Sequence, residues 1–239
     1  MENHFEIFEI KEQVLADNEK AAGENRRMLS ESGTFLLNLM GSPGAGKTST
    51  VLEIIRRLGG KYRIGVMEAD ADGDTDAKTV AATGTKVIQI HTGGLCHMDA
   101  DMTRRGLQAL GIGDLDLVIL ENVGNLVCPA EFEVGADLRV MILSVPEGDD
   151  KPLKYPLMFQ ISDCMLISKT DTAAVFDFDE EAATKRAKAL NPRLSVFPVS
   201  SRNGSGYAEF CSWLDRQISE ELSGKDGSAP AGKKGGASS

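Results

Sequence analysis

From Thr34 to about Leu222 the apolar residues fall into short solid runs, and segments of helical spacing separate them. The solid runs predict strands at Thr34–Met40, Arg63–Glu68, Lys86–Ile90, Leu117–Glu121, Leu138–Val145, Cys164–Ser168 and Leu194–Val199. Helices are predicted between them at Lys47–Leu58, His97–Leu110, Leu153–Ile161, Glu180–Leu190 and Gly206–Leu222. Near-continuous runs such as DLVIL and LRVMILSV mark strands covered on both faces of a parallel sheet. The alternation therefore predicts a three-layer α/β fold, a mostly parallel sheet with helices on both faces and sites at the strand C-termini. Residues 1–32 are polar, with apolar positions at Phe5, Phe8, Val14, Leu15 and Leu29, and read as an extension of one or two amphipathic helices packed outside the core. The α/β domain is expected over 33–222. The stretch 223–239, rich in Gly, Ala, Ser and Lys, is expected to be disordered because it has nothing to bury.

The first strand runs into Gly41-Ser-Pro-Gly-Ala-Gly-Lys-Thr48, a complete G-x-x-x-x-G-K-[ST] loop. Gly41, Gly44 and Gly46 let the backbone curl so that successive N–H groups, including those of Ala45 and Ser49, point at phosphate oxygens. Lys47 reaches the β/γ-phosphates, Thr48 is a Mg²⁺ ligand, and the helix that follows adds its positive end.

Further elements lie at later strand ends. Ser168-Lys169-Thr170-Asp171 resembles the N-K-x-D guanine element, in which a carboxylate such as Asp171 accepts two donors that adenine lacks. The Lys169 stem is expected to lie over the base. Ser168 replaces the usual Asn, and its shorter side chain is expected to weaken bonding around the base and to the phosphate loop. Ser200-Ser201-Arg202 stands where GTPases carry S-A-K, whose backbone binds guanine, so Ser200 joins the predicted GTP site. Glu121 closes the fourth strand, where a carboxylate orients Mg²⁺-bound or attacking water, and Gly124 after it resembles a γ-phosphate sensor. Asp70, Asp72, Asp74 and Asp76 follow the second strand. Asp70 and Asp76 are read as Mg²⁺ or Mg²⁺-water ligands, and Asp72 and Asp74 as a solvated acidic loop. Catalysis is assigned to Lys47, Asp70 and Glu121. An EF-hand is excluded because no Glu stands at its twelfth position.

The chain of 239 residues has 26 basic and 36 acidic residues, a net charge of −10, which argues against nucleic acid or an anionic membrane as a partner. Neither a spanning segment nor a signal-peptide pattern is evident, so a cytoplasmic location is expected. The four cysteines are too scattered for a secreted disulfide framework. Cys96 and His97 follow the third strand behind Gly93-Gly94, and Cys128 follows the fourth. If those strands are near neighbours, the three converge as ligands suited to Zn²⁺ or Ni²⁺. Cys164, Cys211, Met98 and Met102 fit core positions. His4 and His91 have no partner motif and are expected to be structural or at the surface.

Together these residues resemble the nickel-incorporation GTPases of hydrogenase maturation, the HypB family. The likeness runs from about Glu24 to Trp213 through E-N-R-R at Glu24–Arg27, the phosphate loop, M-E-A-D at Met67–Asp70 and D-A at Asp76-Ala77. It continues through T-G-G-L-C-H-M-D-A at Thr92–Ala100, E-N-V-G-N-L-V-C-P at Glu121–Pro129 and E-G-D-D-K-P-L-K-Y-P at Glu147–Pro156. The resemblance implies a P-loop GTPase that hydrolyses GTP and forms a GTP-promoted homodimer. It also implies a metal site of Cys96, His97 and Cys128 at the dimer interface. Nickel would pass to the precursor of a [NiFe]-hydrogenase large subunit, with a small zinc-binding accessory protein as partner. Some members add an N-terminal cysteine motif or a His-rich stretch. Residues 1–32 hold no Cys and only His4, which leaves the site in the G domain.

Three other readings are weighed against this one. A nucleotide-gated binding module with structural zinc and little turnover would keep the same metal off-rate with GDP and GTP. The urease-accessory GTPases are the nearest rival family, but E-N-V-G-N-L-V-C-P does not resemble theirs. A P-loop kinase would need an Arg-rich lid, and Arg56-Arg57 and Arg104-Arg105 sit on helix faces.

Overall fold

A computed structural model describes residues 10–70 and 73–226. Seven parallel strands form one sheet: β1 (Phe35–Gly41), β2 (Ile64–Asp70), β3 (Lys86–His91), β4 (Leu117–Glu121), β5 (Leu138–Ser144), β6 (Cys164–Ser168) and β7 (Ser195–Pro198), in the order β3-β2-β4-β1-β5-β6-β7. The helices are α1 (Ile10–Ser32), α2 (Lys47–Leu58), α3 (Thr75–Ala81), α4 (Ala100–Leu110), α5 (Cys128–Glu131), α6 (Lys151–Lys154), α7 (Pro156–Ile161), α8 (Glu180–Leu190) and α9 (Tyr207–Asp226).

The central strand shows why the sheet needs two helical layers. β1 is buried along its whole length, and its side chains alternate between faces. Phe35, Leu37 and Leu39 join Val51, Ile54 and Leu58 of α2 and Phe210, Leu214 and Ile218 of α9. On the opposite face Leu36 joins Leu29 of α1 and Leu107 and Leu110 of α4, while Met40 meets Met158 and Phe159 of α7 and Ala183 and Ala187 of α8. β1 begins its switch at Gly41, where a Cβ would lie 2.9 Å from the carbonyl oxygen of Ile142 on β5.

All seven strands and five predicted helices are present, with shifts that have local causes. The helix expected from His97 begins at Ala100, because Asp99 caps it by accepting from the N–H of Met102 at 2.7 Å. The helix expected at Leu153–Ile161 is two short ones, α6 and α7, broken at Tyr155-Pro156 because proline cannot continue the backbone ladder. Two helices carried no sequence expectation: α3 buries only Ala77 and Val80, and α5 is a single turn begun by Cys128-Pro129. The extension is one helix over its described residues. Val14 is exposed, and Leu29 is buried in the core. Phe5, Phe8, His4 and most of the 223–239 stretch lie outside the described residues, while α9 continues past Leu222 to Asp226. No helix among the described residues is long and apolar enough to cross a membrane.

Candidate functional site

The loop between β1 and α2 turns tightly at Gly44 and Gly46, whose φ values of 72° and 101° favour glycine. Lys47 is almost wholly buried, and its ammonium donates to the carbonyl of Ser42 at 3.3 Å. Ala45 is buried, while Thr48 and Ser49 begin the first turn of α2. Thr48 Oγ1 donates to Glu121 at 3.0 Å, so the hydroxyl assigned to the cation and the carboxylate assigned to water stand together.

A cavity of about 420 Å³ opens beside Lys47, walled by Glu68, Asp70, Asp76, Glu121 and Gly124 among others. Glu68 belongs to the predicted site by position, yet sequence reasoning passed over it. Its signal was a charged residue inside the apolar strand IGVMEA, and it is paired in register with Glu121 on β4. Burial pushes both carboxyl groups above the ordinary carboxylate range. The Glu121 charge raises Glu68 further, whereas Lys47 pulls Glu121 down. Of the two, Glu68 is raised the further. Glu68 Oε1 and Glu121 Oε2 are buried with no hydrogen-bond partner among the described residues, which suits a cation or its water beside them. Asp70 accepts from the N–H of Gly73 at 3.1 Å, and Asp76 is exposed at the cavity wall. Asp74 pairs with Lys78 at 2.7 Å, in keeping with a surface role, and Asp72 lies outside the described residues.

At the far end of the phosphate loop the base elements converge. Ser168 is buried, and its hydroxyl donates to the Ala45 carbonyl at 2.6 Å. The expected weakening toward the phosphate loop is thus not found, since the short side chain sits close enough to bond it directly. Lys169 adopts φ 60° and donates to the Gly44 carbonyl at 2.6 Å. Asp171 accepts from the Ser200 hydroxyl at 2.5 Å. The Ser200 N–H donates to the Ser205 carbonyl at 3.0 Å, so Ser200 meets Asp171 through its side chain. Tyr207 secures the same loop, its buried hydroxyl lying 2.9 Å from Thr50 of α2 and 2.8 Å from Ser201.

The Cys96, His97 and Cys128 ligand atoms lie within 4.8 Å of one another. A tetrahedral ion with metal–sulfur bonds of about 2.3 Å places its ligands roughly 4 Å apart, so little movement is needed. The convergence does not require β3 and β4 to be adjacent. β2 lies between them, and the loops after β3 and β4 reach across its end. Positive φ at Gly93 and Gly94 and the late start of α4 leave Cys96 and His97 in a loop, so consecutive residues can face one ion. His97 stacks on Phe132 at 3.9 Å between ring centroids. Burial lowers its pKa against the opposing pull of Asp99 and Glu131, which favours a neutral ring. The Cys96 thiol donates to Cys128 at 2.8 Å, and that bond, then burial, raises the Cys128 thiol. Met98, Cys164 and Cys211 are buried, Met102 is partly buried, and His91 is exposed. Burial pushes the Cys211 thiol up to about 12.

α1 braces the metal segments from behind. Asn18 accepts from the N–H of Ala100 at 2.9 Å and donates to the Glu133 carbonyl at 2.8 Å. Asn25, fully buried, donates to the carbonyls of Ala100 at 2.8 Å and Val134 at 3.0 Å. In the sequence Asn25 shows only as a mid-helix Asn of poor helix propensity and as part of the E-N-R-R stretch. Replacing Asn25 by Ala removes two buried hydrogen bonds and is expected to destabilise the fold by about 1–3 kcal/mol, read by denaturant unfolding. An unchanged midpoint would remove the brace.

Of the paired arginines, Arg56 and Arg57 bind Glu53 and Arg104 binds Glu24 and Asp101, while Arg105 is exposed on α4. None forms the lid a kinase would need.

Residues 35–198 match the family of CobW/HypB/UreG nucleotide-binding domains. The hydrogenase maturation factor HypB of Azotobacter chroococcum is 44% identical over 216 residues, 90% of this chain and 71% of that protein. The chain belongs to the HypB family. Two solved HypB structures share its fold. That of Helicobacter pylori HypB in complex with nickel has a TM-score of 0.81 at 35% identity, covering 86% of this chain and 97% of that one. That of the Archaeoglobus fulgidus HypB maturation factor has a TM-score of 0.80 at 37% identity, covering 85% and 99%. The HypB fold thus accounts for the sheet and phosphate loop together, and residues 35–198 form a nucleotide-binding domain of that family.

Proposed function

We propose that the protein is a GTP-hydrolysing switch that carries nickel toward a [NiFe]-hydrogenase. One observation carries the reading: Glu121, beside the phosphate loop, and Cys128, in the ligand cluster, are joined by a single short segment that lies on the phosphate loop. Lys47 would neutralise the β/γ-phosphates, and Asp171 would select guanine. Thr48, Asp70 and Asp76 would hold Mg²⁺ directly or through water, and that ion would supply charge to offset the phosphates. Glu121 would position the attacking water, with Glu68 beside it in register on β2. Cys96, His97 and Cys128 would take Ni²⁺ or Zn²⁺, completed by water or by a second protomer in a GTP-promoted homodimer. A cytoplasmic setting, a small zinc-binding accessory partner and a large-subunit precursor as recipient belong to the same proposal. Nucleic acid and membrane do not.

The test is purification with GTP or GDP and joint measurement of mass and metal content. Dimer and metal rising together with GTP support the switch, and metal independent of nucleotide supports a structural zinc module instead. Because no arginine among the described residues lines the cavity as a finger, turnover of the isolated protein is expected on the order of 10⁻⁴–10⁻² s⁻¹. Glu121→Ala should lower that rate while leaving GTP binding in place. Asp171→Asn should cost about 1–3 kcal/mol of GTP affinity by calorimetry, because an amide sets a donor against the guanine donors. ATP competing as well as GTP against the wild type would refute the guanine assignment.

A further inference from the structure

The loop that carries Cys96 and His97 is held on its nucleotide side by two asparagines. Asn125 donates from Nδ2 to the Cys96 carbonyl at 3.4 Å, and Asn122 Oδ1 accepts from the Met98 N–H at 3.2 Å. Both asparagines are anchored in the opposite direction on β1 and the phosphate loop. The Asn125 N–H donates to the Gly41 carbonyl at 3.1 Å, forming an isolated bridge with the first residue of the loop. Asn122, fully buried, donates to Asn38 Oδ1 at 3.2 Å, and its N–H donates to the Leu39 carbonyl at 2.9 Å. Asn125 Oδ1 also accepts from the N–H of Val127 at 2.8 Å, fixing the turn that delivers Cys128. Between the two, Gly124 lies so close to Pro43 that a Cβ there would come within 2.8 Å of it.

We propose that Asn125, seconded by Asn122, is the positioning link through which the state of the phosphate site sets the spacing of the Cys96, His97 and Cys128 ligands. This rests on the nickel-switch reading and adds the residues that transmit the switch. Asn125 touches both metal-bearing segments and the phosphate loop, so displacement of its backbone is passed on to Cys96 through Nδ2 and to Cys128 through Oδ1. α1 plays the opposite part, because Asn18 and Asn25 hold the far ends of the same segments without contacting the phosphate loop. The asparagine link therefore governs the difference in metal affinity between nucleotide states, whereas the α1 contacts govern affinity in both states alike.

The experiment is nickel titration, followed by thiolate-to-nickel charge-transfer absorption, with GDP and with a non-hydrolysable GTP analogue. Coupling of this kind typically changes affinity 5- to 150-fold between states, and a ratio in that range is expected for the wild type. Asn125→Asp keeps the acceptor for Val127 and removes the donor to Cys96, and should bring the ratio below about threefold while the protein still binds GTP analogue. Asn125→Ala, with folding checked by its melting transition, should do the same. Asn18→Ala should weaken nickel in both states and leave the ratio at the wild-type value. A wild-type ratio near one would remove the nickel switch and the link with it. A wild-type ratio in the expected range that persists in both Asn125 variants would remove the link alone.

Discussion

Replacing Lys47 by Ala is expected to abolish useful binding of GTP, by about 30- to 4,000-fold in Kd. Among the described residues Lys47 is the only cation lining the cavity beside the phosphate loop, and its ammonium is held there by the Ser42 carbonyl. Removing one partner of a buried, hydrogen-bonded charge pair costs about 2–5 kcal/mol, which converts to that range. The side chain also draws the Glu121 pKa down, so its loss should let Glu121 hold a proton more readily and depress residual turnover. Calorimetry on wild type and variant measures the effect. Thr48→Ala should instead weaken Mg²⁺-dependent turnover more than binding. Equal affinity of wild type and Lys47→Ala would overturn the phosphate assignment.

The second large effect is on metal. Cys96→Ala or Cys128→Ala should lower nickel affinity by at least about 100-fold, since changes to groups that merely orient ligands already cost 10–100-fold. The wild type should also lose affinity as pH falls. Cys128 is raised above the ordinary thiol value, so it enters neutral solution protonated and must release its proton to bind. Lower pH opposes that release, by up to about tenfold per pH unit for each thiol ionised. His97 is lowered from the ordinary imidazole value, so its ring is neutral near pH 7 and adds proton competition only at more acid pH. Nickel titrations at several pH values with each variant check both statements. Affinity independent of pH, or no loss in either Cys variant, would dissociate the cluster from metal binding.

The sequence by itself determined the seven strands, most of the helices between them and the places where candidate chemistry stands, because these are written in local patterns. Solid apolar runs such as LDLVIL must be buried on two faces, and G-S-P-G-A-G-K-T encodes a phosphate cradle through its own backbone. The Cys96, His97 and Cys128 set was legible for the same reason, as each follows a strand predicted to end at the site edge.

What crosses between elements was decided by the tertiary structure. The strand order placed β2 between the two metal-bearing strands, and only then did Glu68 face Glu121 in register. Ser168 proved able to reach the phosphate loop because β6 and that loop pack together, a distance no residue identity contains. Asn25 stands in E-N-R-R and Asn122 and Asn125 in E-N-V-G-N, while Asn18 lies in no motif, and nothing in the chain says what these side chains bond. Their meaning lies in buried backbone groups of distant segments that would otherwise be unsatisfied. Hydrogen bonds between segments depend on positions that burial fixes only once the whole sheet has formed, so the coupling between the two sites belongs to the fold and not to any one motif.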